Sequence, residues 1–102
     1  MKQETFKEFV LDQLSGMESL ACRAMFGGFG LYNHDQFFGI LYKGRLYFKT
    51  NSQTRPTYEK YGSQPFRPST RQTLKNYYEV PAEILDDDEA LISWAREAIQ
   101  MS

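Results

Sequence analysis

The chain has 102 residues, 41% apolar, 25% charged and 16% aromatic, with a formal net charge of −1. One domain of ordinary size fits that length, whereas two separate cores do not. One Cys excludes an intramolecular disulfide and any multi-Cys zinc site, one His argues against a histidine metal centre or triad, and no apolar run reaches the roughly 20 residues that span a bilayer.

In chain order, Phe6, Phe9, Val10, Leu14 and Met17 fall on one stripe at helical spacing, with Lys7, Glu8 and Asp12 on the other side. Ser15-Gly16 gives that helix a stop. Leu20 to Tyr32, Phe37 to Tyr42 and Arg45 to Lys49 read as a three-stranded antiparallel meander. Asn33 to Gln36 is its first turn, and Lys43-Gly44 its second. A short helix is expected near Tyr58 to Tyr61, starting late because Pro56 fits only a first turn. Each residue before a proline is pushed out of the α region, so 64–68 must be extended. Ser69 to Thr73 reads as a loop. Leu74 to Val80 reads as a strand with Tyr77 and Tyr78 on opposite faces. Asp86 to Glu89 has the form of a capping box before a stripe of Leu91, Ile92, Trp94, Ala95, Ala98 and Ile99. Helices packed on an antiparallel sheet imply an α+β domain over residues 1–102.

Charge is unevenly spread. Residues 36–78 hold eight basic side chains (Lys43, Arg45, Lys49, Arg55, Lys60, Arg67, Arg71 and Lys75) against one acidic, Glu59. Residues 79–102 hold seven acidic side chains against Arg96. The bland expectation is that the acidic C-terminal helix lies beside the basic region and offsets it. The functional expectation is a surface that contacts a partner or nucleic acid through Lys43, Arg45, Tyr47, Lys49, Arg55, Arg67, Arg71 and Lys75. The aromatic excess has the same two readings: a core covered on both faces by helices, or outward rings at an interface.

Phe26-Gly27-Gly28-Phe29-Gly30 lacks the Lys-Ser/Thr of a phosphate loop and precedes a strand, so a bend in a sheet is expected. Arg23 is expected to pair with a carboxylate of the C-terminal helix. Cys22 is expected to be a small buried hydrophobe, and His34 an exposed turn residue. Asp86 to Glu89 lacks the ligand spacing of a calcium loop. No catalytic set, metal site or cofactor motif is expected. A non-enzymatic role in the cytoplasm follows from these readings, because the charged N-terminus does not resemble a signal peptide.

The segment Arg23-Ala24-Met25-Phe26-Gly27-Gly28-Phe29-Gly30-Leu31-Tyr32 resembles the N-terminal domain of the TfoX/Sxy family, bacterial regulators of DNA-uptake competence. The resemblance continues through Gly44 to Lys49, Tyr58-Glu59, Gly62 to Phe66, Tyr77 to Pro81 and Trp94 to Arg96. It implies an antiparallel sheet in the order α-β3-α-β2-α, similar to secretion chaperones in fold. Within its motif, Arg23, Met25, Phe26, Gly27, Gly28 and Gly30 read as structural. It also implies a regulatory, protein-interacting role in transcription, with the cyclic-AMP receptor protein as partner. Family regulators continue into a second, helical domain, so a stand-alone one-domain form is expected here. Weak direct nucleic-acid binding through the basic 43–75 region is the alternative, and a homodimer is a further possibility.

Overall fold

The computed structural model describes residues 2–25, 27–69 and 72–100. Helix α1 spans Lys2–Gln13, and four strands follow: β1 Leu20–Met25, β2 Gly28–Asn33, β3 Gln36–Tyr42 and β4 Arg45–Lys49. Then come α2 Arg55–Lys60, β5 Pro65–Ser69, β6 Gln72–Glu79, α3 Ala82–Leu85 and α4 Asp88–Gln100. The α+β class is as the sequence implies, but the order differs. There are four strands before α2 rather than three, and a short helix before the last one. The segment read as one strand from Leu20 folds back on itself, pairing Met25 with Gly28 around a turn in which Gly27 takes φ +80°. Helix α2 begins at Arg55 with Pro56 in its first turn, and Gln72 and Thr73 belong to β6 rather than to a loop.

All strand pairs are antiparallel, in the order β1-β2-β3-β4-β6-β5. The β2–β3 and β3–β4 turns both hold positive φ at their two central residues, His34 and Asp35 in one and Lys43 and Gly44 in the other. That geometry matches the twist of the flanking strands. At Leu31 to Tyr32 the register slips, because Leu31 faces Gly39 while Tyr32 faces Phe37. Phe38 is the extra residue of a bulge. It turns to one side against Phe48, ring centroids 5.7 Å apart, while Phe37 turns to the other against Tyr32 and Tyr77.

The helices gather on one side of the sheet. Val10 of α1, Leu14 in the turn that follows it, Tyr58 of α2, Ile84 of α3 and Leu91, Ala95 and Ala98 of α4 pack on Leu31, Phe38, Leu46, Phe48 and Val80. Gln13 Nε2 donates to the Leu85 carbonyl at 2.7 Å, fastening α1 to α3. Helix α4 is capped by Asp87, whose Oδ1 accepts from the Ala90 amide at 3.2 Å. The cap is therefore one residue later than the Asp86 to Glu89 spacing suggests. An Asx turn at Asn51 accepts the Gln53 and Thr54 amides ahead of α2.

Candidate functional site

The other side of the sheet carries a second core made from strands alone: Ile40, Tyr47 and Phe66, with Phe37, Tyr42, Leu74 and Tyr77 against them. The expectation of a core covered on both faces by helices is thus corrected. Phe66 shows why this side stays partly dry. Its ring lies 4.8 Å from Tyr47 and 5.3 Å from Tyr42. Yet β5 stands two strands from β4 and three from β3. At about 4.8 Å per strand, a flat sheet would hold those rings roughly 10–14 Å apart. The sheet must coil, so the β5–β6 hairpin arches over the face and leaves Phe66 only 1% exposed.

Cross-strand register builds the face row by row. Arg23, Gly30, Ile40, Tyr47 and Glu79 stand opposite one another from β1 across to β6. A side chain at Gly30 would meet Met25 Sδ at 2.5 Å, so the thioether occupies the space that Gly30 leaves. At Gly28 a Cβ would lie 2.2 Å from the Leu41 carbonyl oxygen, which makes glycine a condition of the β2–β3 approach.

Cations edge this aromatic surface. Arg45 Nη1 donates to both carboxylate oxygens of Glu79 at 2.9 and 3.0 Å. Arg23 lies 5.0 Å from the Tyr32 ring and 3.5 Å from the Asp35 carboxylate. Its partner is therefore the neighbouring turn and not the C-terminal helix, which packs on the far side of the sheet. Lys43 Nζ lies 5.4 Å from the Tyr42 ring. Lys49 faces Tyr77 across β4 and β6. Burial, followed by the Glu79 carboxylate, pushes the Tyr47 phenol up from its ordinary range, and burial does the same to Tyr77.

The structure divides the sequence-derived candidates. Arg45, Tyr47 and Lys49 share the helix-free face, with Lys43 at its rim. Arg67 and Lys75 belong to the arching hairpin, where Arg67 Nε donates to Thr73 Oγ1 at 3.2 Å. Arg55 serves elsewhere. It opens α2, donates to Asn76 Oδ1 at 3.2 Å, and buries an Nε without an acceptor among the described residues. Phe26 and Arg71 lie outside the described residues. The face adds Tyr32, Phe37, Tyr42, Phe66 and Tyr77; within β3 the Phe38 bulge interrupts the period-two signal that would group Phe37 with Tyr42.

Away from this face, a cavity of about 460 Å³ opens between the α1–β1 loop, the β2–β3 turn and the end of α4. Met17 and Ile99 line it with Asn33, His34 and Arg96. His34 is exposed, and Cys22 is half-buried with its thiol pushed up by burial. Among the described residues no three His, Cys, Asp or Glu side chains converge as metal ligands, and no helix is long and apolar enough to cross a membrane.

A family model described as the TfoX N-terminal domain matches residues 12–102. The chain is also 32% identical over 82 residues to the DNA transformation protein TfoX1 of Aliivibrio fischeri (strain ATCC 700601 / ES114). That match covers 78% of this chain and 39% of the relative, so it spans about two fifths of the relative's length. Fold and sequence agree: the chain belongs to the TfoX N-terminal domain family.

Proposed function

We propose that this chain is a non-enzymatic docking domain in the control of DNA-uptake competence, engaging an acidic protein partner through the helix-free face of its sheet. The observation that carries the reading is that face itself, where Tyr32, Tyr42, Tyr47 and Tyr77 stand among Arg23, Lys43, Arg45 and Lys49 without a covering helix. Tyr and Arg are the residue types enriched at protein interfaces. The name of the A. fischeri relative supports the competence setting. Family resemblance makes the cyclic-AMP receptor protein the first partner to try, with transcriptional coactivation in the cytoplasm as the outcome.

Geometry favours a protein over a nucleic acid. Base stacking needs ring faces open to solvent. Here the rings lean on one another, Phe37 at 36° to Tyr77 and Phe66 at 79° to Tyr42, and Tyr47 and Phe66 are buried. Phenol edges and side-chain cations border these rings, and both suit a carboxylate-bearing protein surface. Direct nucleic-acid binding through the basic 43–75 region is the second reading, favoured by those same cations.

The test pairs two titrations of wild type and a Lys43→Glu/Lys49→Glu variant. One uses the cyclic-AMP receptor protein with its nucleotide, the other a labelled competence-promoter duplex at low and physiological salt. We expect receptor binding, weakened about tenfold or more in the variant at unchanged melting temperature. Duplex binding by the chain alone, with a steep salt slope, would establish the second reading instead. Receptor binding that ignores the charge reversal would remove the face from the site.

A further inference from the structure

The two ends of the sheet are built differently. At one end β5 carries Pro65 and Pro68 and pairs irregularly, with register shifts on both sides of Phe66. Proline and irregular pairing are the usual protections of an open edge. At the other end β1 runs Leu20-Ala21-Cys22-Arg23-Ala24-Met25, six residues in unbroken register with β2. It has no proline, no lysine and no bulge, and among the described residues β2 is its only strand neighbour. We infer that the outer edge of β1 pairs with the β1 edge of a second copy of this chain, antiparallel about a two-fold axis at Cys22, to give a continuous sheet across two subunits.

A second copy fits this edge better than an unrelated peptide. Ala21, Cys22 and Ala24 have short side chains, so an incoming strand would be held by its backbone with little side-chain readout. Self-pairing needs none, because the short side chains of one edge lie beside those of the other. A net charge of −1 gives little long-range opposition to self-association. The helix-free aromatic face is a poorer self-interface, since a two-fold axis there would bring Arg and Lys of both copies together.

Charge also selects the register. Residues directly opposite in an antiparallel pair project to the same face. Two symmetric registers then overlap β1 best, one centred on Cys22 and one on Arg23. The second sets Arg23 against the partner's Arg23, which like-charge repulsion disfavours. The first sets Arg23 against the partner's Ala21 and leaves its contacts with Tyr32 and Asp35 intact. It also places Cys22 opposite the partner's Cys22, with Cβ atoms at roughly 4.5–5.5 Å. That approaches the separation a disulfide spans.

The single cysteine makes the inference directly testable. Wild-type protein at high micromolar concentration is oxidised with copper-phenanthroline, which takes one electron from each Cys22 thiol as the disulfide forms. In parallel, sedimentation equilibrium gives the dimer constant for wild type, Ala21→Arg and Ala21→Glu, with circular dichroism confirming that each variant is folded. We expect a disulfide-linked dimer that is absent in denaturant and in Cys22→Ser. Dimerisation should weaken roughly three- to tenfold in Ala21→Arg, where like charges face Arg23, and tighten in Ala21→Glu. A monomer at every concentration overturns the inference. So does a dimer that neither cross-links at Cys22 nor responds to charge at Ala21, because it would use another surface. The docking reading above is scored on receptor binding and is unaffected by either result.

Discussion

Gly28 shows how much a single residue can hold. A Cβ there would come within 2.2 Å of the Leu41 carbonyl oxygen, and a backbone atom of a strand paired on both sides cannot rotate away as a side chain can. Gly28→Val should therefore force β2 and β3 apart, costing about 2–4 kcal/mol and on the order of 10–25 °C in melting temperature. Gly30→Ala is the control. Its new methyl would meet the Met25 thioether, a flexible end that can swing clear, and press on the Phe37 and Tyr32 rings at 3.0 and 3.2 Å, with no backbone atom in the way, so its cost should be smaller. Thermal melts of both variants decide the matter: equal losses would show that the carbonyl contact is not what requires glycine. The sequence marks both positions as glycines in a bend, but not which one meets backbone. That distinction depends on an atom of a neighbouring strand.

At the level of elements, local chemistry was readable where the chain acts on itself. The α1 helix, the Lys43-Gly44 turn and the extended prolines of β5 all follow from spacing and backbone preference, although Phe9 of the expected stripe is 39% exposed and Leu14 and Met17 lie past the helix end. The fourth strand was hidden because Leu20 to Tyr32 is apolar on both sides of its turn, so periodicity shows no break at Gly27. The α4 cap was displaced because three consecutive aspartates can each cap, and α3 decides which one is free. Asp86 ends α3 as its C-cap, so Asp87 is left to accept from Ala90. Asp87→Ala should cost about 1 kcal/mol of stability, while Asp86→Ala should stay within about 0.5 kcal/mol. Urea titration of the two variants tests this, and a larger loss in Asp86→Ala would return the cap to the position the sequence suggests. The candidate site was legible only in part. Arg45, Tyr47 and Lys49 alternate on one strand and could be grouped from sequence. Phe66 reaches them only through the coil of the sheet, which no local pattern encodes.

Across the whole molecule, the two sides of the sheet differ in cover and in charge, yet both bury phenols. On the helix side, Tyr58 is 3% exposed beside Trp94, and burial, followed by the Glu97 carboxylate, pushes its phenol far above the ordinary value of 10.0. On the other side burial raises Tyr47 and Tyr77. In the unfolded chain all three ionise near pH 10. The folded chain keeps them protonated to higher pH, so above that point the unfolded state binds fewer protons. Stability is then level below about pH 10 and falls as pH rises further, by up to about 1.4 kcal/mol per pH unit for each proton the folded state retains. Tyr58→Phe keeps the ring in its place against Trp94 and removes the titrating group, so unfolding free energies measured from pH 8 to 11 should decline less steeply. Tyr47→Phe should flatten the same limb by a smaller amount, because its phenol is less deeply enclosed. The two rings lie in separate cores on opposite sides of the sheet, so the double variant should show the sum of both changes. An alkaline limb that Tyr58→Phe leaves untouched would mean that Tyr58 ionises in the folded protein, and that the helix layer opens to water well before the sheet does.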